Sequence, residues 1–240
     1  MVNFCLKLAG ISLEVNCEYN STKEYCKDYF TDAAPVYVLT VSQAEREREQ
    51  GLLEHPVSAV YAERLALYRA VCDKLCAHDV FLLHGSAIAV DGETYIFIAP
   101  SGTGKSTHTA FWRKALSGHH DIVMVNDDKP LIRVMKQGVF ACGSPWSGTY
   151  GLNTDVSLPV RAICVLHRAV ENQIEPLAKN RVFSELYQRV YLPPNAEGTQ
   201  RVLAMLNQTI HFVSFWSLGC NMTEEAALTA YHAMKKGDNK

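Results

Sequence analysis

The chain has 240 residues, 48% of them hydrophobic, and a formal net charge of −2, which suits one globular domain with a small appended lobe. The nearly balanced charge, with no run of Lys and Arg, argues against nucleic acid or an anionic membrane as a partner. No apolar run approaches the ~18 residues that cross a bilayer, and the N-terminus lacks the apolar segment of a signal peptide.

The first 80 residues predict a small N-terminal α+β lobe. Short apolar runs at residues 4–15 and 36–41 are typical of strands. The polar stretch at residues 43–50 favours a solvated helix or turn. Apolar residues recur at helical spacing from residue 57 to residue 76, which predicts an amphipathic helix that links the lobe to the rest of the chain.

Residues 81–240 predict the main domain. Its early elements are a strand over 81–90, an Asp91-Gly92 turn, a strand over 94–98, a helix over 105–116, a strand over 122–125 and a hairpin over 131–142. Its later elements are a strand over 162–167, helices over 183–190 and 200–209, a strand over 211–218 and a helix from Thr223. Because hairpins surround the first helix, we expect an α/β domain with a mixed, largely antiparallel sheet, whereas ordinary nucleotide-binding P-loop domains are mostly parallel.

The segment between the strand at 94–98 and the next helix predicts a phosphate-binding loop, or P-loop. Residues 99–106 follow the pattern G-x-x-x-x-G-K-[ST], with Ala99 in place of the first glycine. Two glycines allow backbone N–H groups to converge on an anion, the lysine would reach the β- and γ-phosphates, and the serine hydroxyl would bind Mg²⁺. The predicted nucleotide-binding residues are Pro100, Ser101, Gly102, Thr103, Gly104, Lys105, Ser106 and Thr107. A chance glycine-rich turn is the alternative, but the flanking strand and helix favour phosphate binding.

Two adjacent carboxylates, Asp127 and Asp128, follow a buried strand about 20 residues after the loop, where such proteins place a metal-site acid. One carboxylate could hold Mg²⁺ while the other takes the proton of an attacking hydroxyl. Mutual repulsion would raise one pKa, and Lys105 with Mg²⁺ would offset it. The alternative is an Asp-rich turn between strands.

His84 precedes Gly85, which permits another group to approach closely. His-Gly-Ser-Ala at 84–87, Asp-Gly at 91–92, Ser-Gly-Thr-Gly-Lys-Ser at 101–106 and Asn-Asp-Asp at 126–128 together resemble the catalytic core of the HPr kinase/phosphorylase family. The loop and the acidic pair are also similar to phosphoenolpyruvate carboxykinases, which share that fold. Smaller HPr-kinase-like enzymes that phosphorylate a serine of ribosomally made peptides use the same arrangement. The resemblance covers residues 84–130, extends to about residue 235 and leaves out residues 1–80.

This resemblance implies a kinase that uses ATP and Mg²⁺. Lys105 and Ser106 match the phosphate-loop lysine and the metal-binding hydroxyl. Asp127 and Asp128 match the family's catalytic base and metal-site acid, in an order that stays open, and His84 matches a histidine near the transferred phosphoryl group. The implied acceptor is a Ser or Thr hydroxyl of a peptide or protein. A small metabolite bearing a hydroxyl is a second possibility, a nucleotide-binding regulatory module with little turnover is a third, and the oligomeric state is open.

Weaker candidates surround this core. Lys129, Arg161 and Arg189 are candidate charge stabilisers for a transferring phosphoryl group. His108 and Trp112 lie one helical turn apart, where they either flank the nucleotide or pack in the core.

The segment at residues 143–151 is rich in Gly and Ser. It is either a lid, with Trp146 stacking on a ligand and Ser147 and Thr149 donating to phosphate, or a surface loop that Trp146 anchors.

The chain has eight cysteines without a C-x-x-C pair and an ATP-type motif. Together these features predict that the protein resides in a reducing cytoplasm. Cys72 and Cys76 lie four residues apart on the predicted helix, and core packing outweighs metal binding there because no fourth ligand is close in sequence.

Overall fold

The chain opens with a tight hairpin of β1 (Val2–Leu8) and β2 (Ile11–Cys17) in the computed structural model, which describes residues 1–237. The turn residues Ala9 and Gly10 have φ angles of 48° and 82°, as a type I′ hairpin turn requires. A third strand, β3 (Tyr37–Thr40), pairs in parallel with β2 and completes a three-stranded sheet. The predicted strands of the N-terminal lobe are therefore confirmed.

Helices cover this small sheet. They are α1 (Asn20–Tyr25), α2 (Gln43–Gly51) and α3 (Ala59–Leu75). A capping box of Ser42 and Glu45 starts α2, and the side chain of Ser58 caps α3, so both predicted helices are confirmed. The buried face of α3 contributes Leu67 and Val71 to an apolar cluster that also contains Leu131 of the second sheet. The small sheet and the rest of the chain thus share one core.

A larger, mixed sheet holds the other strands that residues 1–237 form. They are β4 (Val80–Leu82), β5 (Ser86–Val90), β6 (Glu93–Ile98), β7 (Ile122–Asn126), β8 (Leu131–Met135), β9 (Gly138–Cys142), β10 (Ser157–Arg168), β11 (Gln173–Pro176) and β12 (Ser214–Cys220). The order is β4-β8-β9-β10-β6-β5-β7, with β12 beside β10 and β11 beside β12. Pairing is parallel for β6–β10 and β10–β12 and antiparallel for the other neighbours in the described chain. The predicted α/β class with a mixed, largely antiparallel sheet is confirmed.

Helices pack on both faces of this sheet. They are α4 (Lys105–Leu116), α5 (Lys179–Tyr187), α6 (Ala196–Phe212) and α7 (Glu224–Lys236). Trp112 of α4 and Tyr231 of α7 join one cluster with Phe97, whereas Leu186 of α5 and Leu206 of α6 join another on the opposite face. Within residues 1–237 no helix is both long and apolar enough to cross a membrane.

Two strand predictions are wrong. The predicted strand at 81–90 is two strands, because the backbone of residues 83–85 leaves the sheet. There His84 N donates to Arg189 O at 2.7 Å and Gly85 N donates to Asp128 O at 3.0 Å. A β-carbon at residue 85 would lie 3.0 Å from Phe97 O, so glycine permits this close crossing.

The predicted strand at 211–218 begins later, at Ser214, because α6 continues to Phe212. Buried side chains keep helical spacing through Val202, Leu206 and Thr209. That spacing outweighs the apolar run on which the strand prediction was based.

His108 and Trp112 pack inside the core, where Trp112 Nε1 donates to His108 Nε2 at 3.0 Å and both side chains are buried. Their proposed role beside a nucleotide is wrong. Burial lowers the pKa of His108 from 6.5 to about 3. The unfolded chain therefore takes up a proton at this histidine below pH 6.5 that the folded chain refuses, so stability falls as the pH is lowered through this window.

We expect the buried, neutral His108 to lower the free energy of unfolding by about 1.4 kcal/mol for each unit by which the pH falls, between roughly pH 6 and pH 4. Replacing His108 with glutamine keeps an acceptor for Trp112 and removes the titration. Urea unfolding of both proteins across this range measures the difference. Identical pH dependence in the two would contradict a neutral, buried His108.

Candidate functional site

The glycine-rich segment connects the end of β6 to the start of α4. Gly102 and Gly104 have φ angles of 75° and 120°, which an L side chain rarely adopts. A β-carbon at either position would meet no atom within 4 Å, so open space faces this backbone. Pro100 and Ser101 are exposed, while Thr103, Ser106 and Thr107 are half-buried. The eight predicted nucleotide-binding residues therefore form one continuous loop and first helical turn.

Lys105, the first residue of α4, lies back along this loop. It is 8% exposed, and its Nζ donates to Ala99 O at 3.0 Å. Burial lowers the pKa of Lys105, the charge of Asp128 opposes that shift, and the positive charge of Arg189 adds to it. Lys105 is therefore largely shielded from water and lies close enough to Asp128 and Arg189 for their charges to act on it.

Asp128 holds an ion-pair network on the other side of this region. Its Oδ1 lies 3.2 Å from His84 Nε2, and its Oδ2 accepts from Lys129 Nζ at 2.6 Å. Burial disfavours the charged carboxylate, but the hydrogen bonds from His84 and Lys129 outweigh burial and hold the pKa of Asp128 well below its usual value. Asp128 is therefore ionised at neutral pH and still 23% exposed.

Asp127 has the opposite environment. It is 2% exposed, its Oδ1 accepts from Gly148 N at 2.6 Å, and its buried Oδ2 has no hydrogen-bond partner. Burial raises the pKa of Asp127, and the charge of Asp128 adds only a smaller effect. The predicted separation of the two pKa values is present, but burial acts on both carboxyls, and the hydrogen bonds from His84 and Lys129 to Asp128, not mutual repulsion, separate them.

Asn126 holds the acidic turn in place, a role that we did not predict. Its Oδ1 accepts from the backbone N–H groups of Asp128 and Lys129 at 2.9 and 2.6 Å. Its Nδ2 lies 3.0 Å from Ser144 O and 3.2 Å from Trp146 O. The side chain is fully buried, so both ends of the amide are used without help from solvent.

We expect Asn126→Asp to lower the free energy of unfolding by about 3 kcal/mol, because a carboxylate would face the carbonyls of Ser144 and Trp146 without a donor. Urea denaturation measures the loss. Asn207→Asp, at an exposed position of α6, serves as the matched control. A variant as stable as the wild type would show that this amide does not fasten the turn.

The loop at residues 143–151 forms a wall of the site beside Asp127 and is anchored to α3. Trp146 is 4% exposed, packs its ring on Tyr68 and donates through Nε1 to Arg64 O at 3.0 Å. The anchor interpretation of Trp146 is therefore confirmed, and stacking on a ligand is wrong. Just beyond the loop, Tyr29 OH donates to Asn153 Oδ1 at 2.7 Å. The N-terminal part of the chain thus supports the wall that contacts Asp127.

The cationic candidates separate into two groups. Lys129 and Arg189 lie at the site, since Lys129 Nζ donates to Asp128 Oδ2 and Arg189 O accepts from His84 N. Arg161 lies near the start of β10, at the opposite end of the sheet from the loop, and Arg161 Nη2 donates to Lys235 O. Its proposed role in charge stabilisation is wrong. Arg168, which we did not predict, ends β10 and donates through Nη2 to Gly102 O at 2.7 Å.

The side chains at the site supply only some of the ligands that Mg²⁺ needs. In the part of the chain that the structure describes, no three His, Cys, Asp or Glu side chains cluster to hold a metal. Mg²⁺ prefers oxygen ligands and is often held by one or two carboxylates together with phosphate oxygens and water. The unpartnered Oδ2 of Asp127 fits that pattern.

The comparisons with known proteins name no family: no family model matches the chain, and no curated protein matches it.

Proposed function

We propose that this protein is an ATP- and Mg²⁺-dependent phosphotransferase that moves the γ-phosphoryl group to a hydroxyl, with Ser or Thr of a peptide or protein as the favoured acceptor. One observation carries the proposal. Asp128, hydrogen-bonded to His84 and Lys129, lies close enough to Lys105, the lysine that begins the helix after the glycine-rich loop, for its charge to act on the pKa of Lys105. A polyphosphate site and a candidate base are thus neighbours, as transfer to a hydroxyl requires.

The loop supplies the binding half of the proposed activity. Its backbone N–H groups and the positive end of α4 favour an anion. Lys105 and Arg189 add two cationic side chains, and burial, which lowers the pKa of Lys105, reduces the screening of the Lys105 charge by water. When phosphate enters, Lys105 exchanges its contact with Ala99 O for a phosphate oxygen. Such preorganised charge stabilises a transferring phosphoryl group.

We assign the proton-accepting role to Asp128. It is ionised at neutral pH and partly exposed, so an acceptor hydroxyl can reach it. His84 and Lys129 fix the carboxylate from both oxygens, which orients it before the acceptor arrives. In a loose transition state the hydroxyl loses its proton late, so a carboxylate of low pKa can still serve.

Asp127 and Ser106 are the residues that would hold Mg²⁺. The buried oxygen of Asp127 has no hydrogen-bond partner, and replacing that missing partner with a cation would offset the cost of burial. Bound Mg²⁺ would neutralise charge on the β- and γ-phosphates. This division of roles is our reason for distinguishing the two adjacent acids.

These features also support an HPr-kinase-like P-loop core for residues 81–240, of which the structure describes residues 81–237, with residues 1–80 as a lobe that braces it through the hydrogen bond between Trp146 and Arg64. The eight cysteines form no disulfide, which favours a reducing cytoplasm.

Calorimetry with Mg²⁺ and ATP, followed by γ-labelled ATP with separate peptide and metabolite pools, tests the proposal. We expect binding heat and label on a peptide or protein. Label on a small metabolite instead would change the acceptor, and binding without product over hours would indicate a regulatory module. No binding heat from the folded chain would overturn the proposal.

A further inference from the structure

An exposed apolar patch lies in the N-terminal lobe, where α2 is joined to α3. Its large side chains are Leu52, Leu53 and Tyr61, which are 58%, 37% and 48% exposed. They line a depression of about 720 Å³. Apolar side chains that cluster on a surface commonly mark an interaction site. What the patch can bind depends on where it lies relative to the acidic turn.

One face of α3 connects the apolar patch to the acidic turn. Tyr61, Leu65 and Tyr68 are spaced by four and then three residues, so they share this face. At its inner end the centroid of the Tyr68 ring lies 5.9 Å from Lys129 Nζ, and Lys129 is hydrogen-bonded to Asp128. Tyr68 is buried, Leu65 is half-buried and Tyr61 is exposed. The face therefore leads outward from the proposed base to the patch.

Tyr25 of α1 joins the patch to the wall beside Asp127. The centroid of its ring lies 4.2 Å from the guanidinium carbon of Arg64. Burial raises the pKa of Tyr25, a hydrogen bond to the Ser147 backbone opposes that shift, and Tyr61 adds a smaller upward effect. Tyr25 is therefore close both to Tyr61 of the apolar patch and to the wall that contacts Asp127.

The length of this face fits a short stretch of peptide. Tyr61 and Tyr68 are seven residues apart on α3, so about 10 Å of helix separates them. An extended chain covers about 3.3 Å per residue, so three residues span that length. A peptide whose hydroxyl lies at Asp128 can therefore place the side chain three or four residues away on the apolar patch. A small metabolite is too short to reach both places.

The size of the depression favours a peptide side chain over a second copy of the protein. A stable interface between two folded chains uses about 20 to 30 residues on each side, whereas seven residues line this depression. Leucine and tyrosine side chains at its surface gain free energy when an apolar group covers them. The depression therefore suits one large apolar side chain that an extended peptide carries.

We propose that the apolar patch of Leu52, Leu53 and Tyr61 docks the acceptor peptide by holding a large apolar side chain three or four residues from the Ser or Thr that receives the phosphoryl group. This inference rests on the proposed function, because it assigns the part of the acceptor that lies beyond the reacting hydroxyl. It gives residues 1–80 a role in choosing the acceptor.

Synthetic peptides and γ-labelled ATP test this inference on the full chain. The parent peptide carries one serine with four alanines on each side, and leucine replaces each alanine in turn, which scans both chain directions. We expect leucine at the third or fourth position on one side to raise kcat/KM over the parent about tenfold, mainly through KM. In Leu53→Ala this preference should fall to within about twofold. Leu228→Ala, on α7, is the matched control, because Leu228 and Leu53 are each 37% exposed, and it should keep the full preference.

The docking surface would be overturned if no position of leucine is preferred, or if the two variants both keep or both lose the preference. Binding of Mg²⁺–ATP without transfer to any of these peptides would also overturn it, while leaving the nucleotide site in place. If calorimetry detects no binding of Mg²⁺–ATP, the proposed function itself fails, so the two failures are distinguished. Urea unfolding checks that each variant is folded.

Discussion

Replacing Lys105 with methionine should lower kcat/KM for phosphoryl transfer by at least about 10³-fold. Methionine keeps much of the length and apolar volume of lysine but removes the charge that lies back along the loop onto Ala99 O. Because burial lowers the pKa of Lys105, keeping this lysine charged lowers the stability of the fold, and an uncharged methionine avoids that loss. The variant should therefore unfold at an unchanged or higher urea concentration.

Lys114→Met is the matched control, since Lys114 lies in the last turn of the same helix and pairs on the surface with Glu224. Both variants are measured with γ-labelled ATP and by calorimetry with tripolyphosphate. Loss of turnover and of tripolyphosphate binding in Lys105→Met alone supports the proposed site. Wild-type rates in that variant would show that α4 begins at an ordinary glycine turn.

Local signals predicted the elements around the site well. Asp91 and Gly92 adopt φ angles of 52° and 83°, the type I′ geometry that their dipeptide favours. The loop and α4 lie where the glycine and lysine spacing placed them. These features depend on residues close together in the chain, so a short window of sequence contains the information.

The contacts that assemble the site are between distant residues. Asp128 and His84 are 44 residues apart in the chain, and only the resemblance to a kinase family predicted that they belong to the same site. Arg168 reaches Gly102 because β10 runs past the end of β6, and strand register was needed to see it. Asn126 looked like an ordinary turn residue, since its amide partners, Ser144 and Trp146, come from a later loop. Tertiary contact decided each of these positions.

Asp128→Asn should lower kcat by at least about 10²-fold at saturating ATP and Mg²⁺. Asparagine preserves the shape of the side chain but cannot accept the proton of the acceptor hydroxyl.

In the wild type, hydrogen bonds from His84 and Lys129 lower the pKa of Asp128 despite burial, so Asp128 stays ionised and active down to acidic pH. His84→Ala removes one of these bonds, which should raise that pKa and move the acid limb of the pH–rate profile to higher pH. An unmoved limb would contradict the contact.

Asp127→Asn should affect the metal requirement more than the proton transfer. Burial already raises the pKa of Asp127, and the amide resembles the protonated acid, so the fold should tolerate it. Loss of a carboxylate oxygen should raise the Mg²⁺ concentration for half-maximal rate by roughly 10- to 100-fold, with kcat partly restored at high Mg²⁺. The same titration on Asp128→Asn should show an unchanged Mg²⁺ requirement and an unrestored kcat. If the two patterns are exchanged, the roles of the adjacent acids are exchanged, because a metal ligand and a proton acceptor differ in what excess metal can replace.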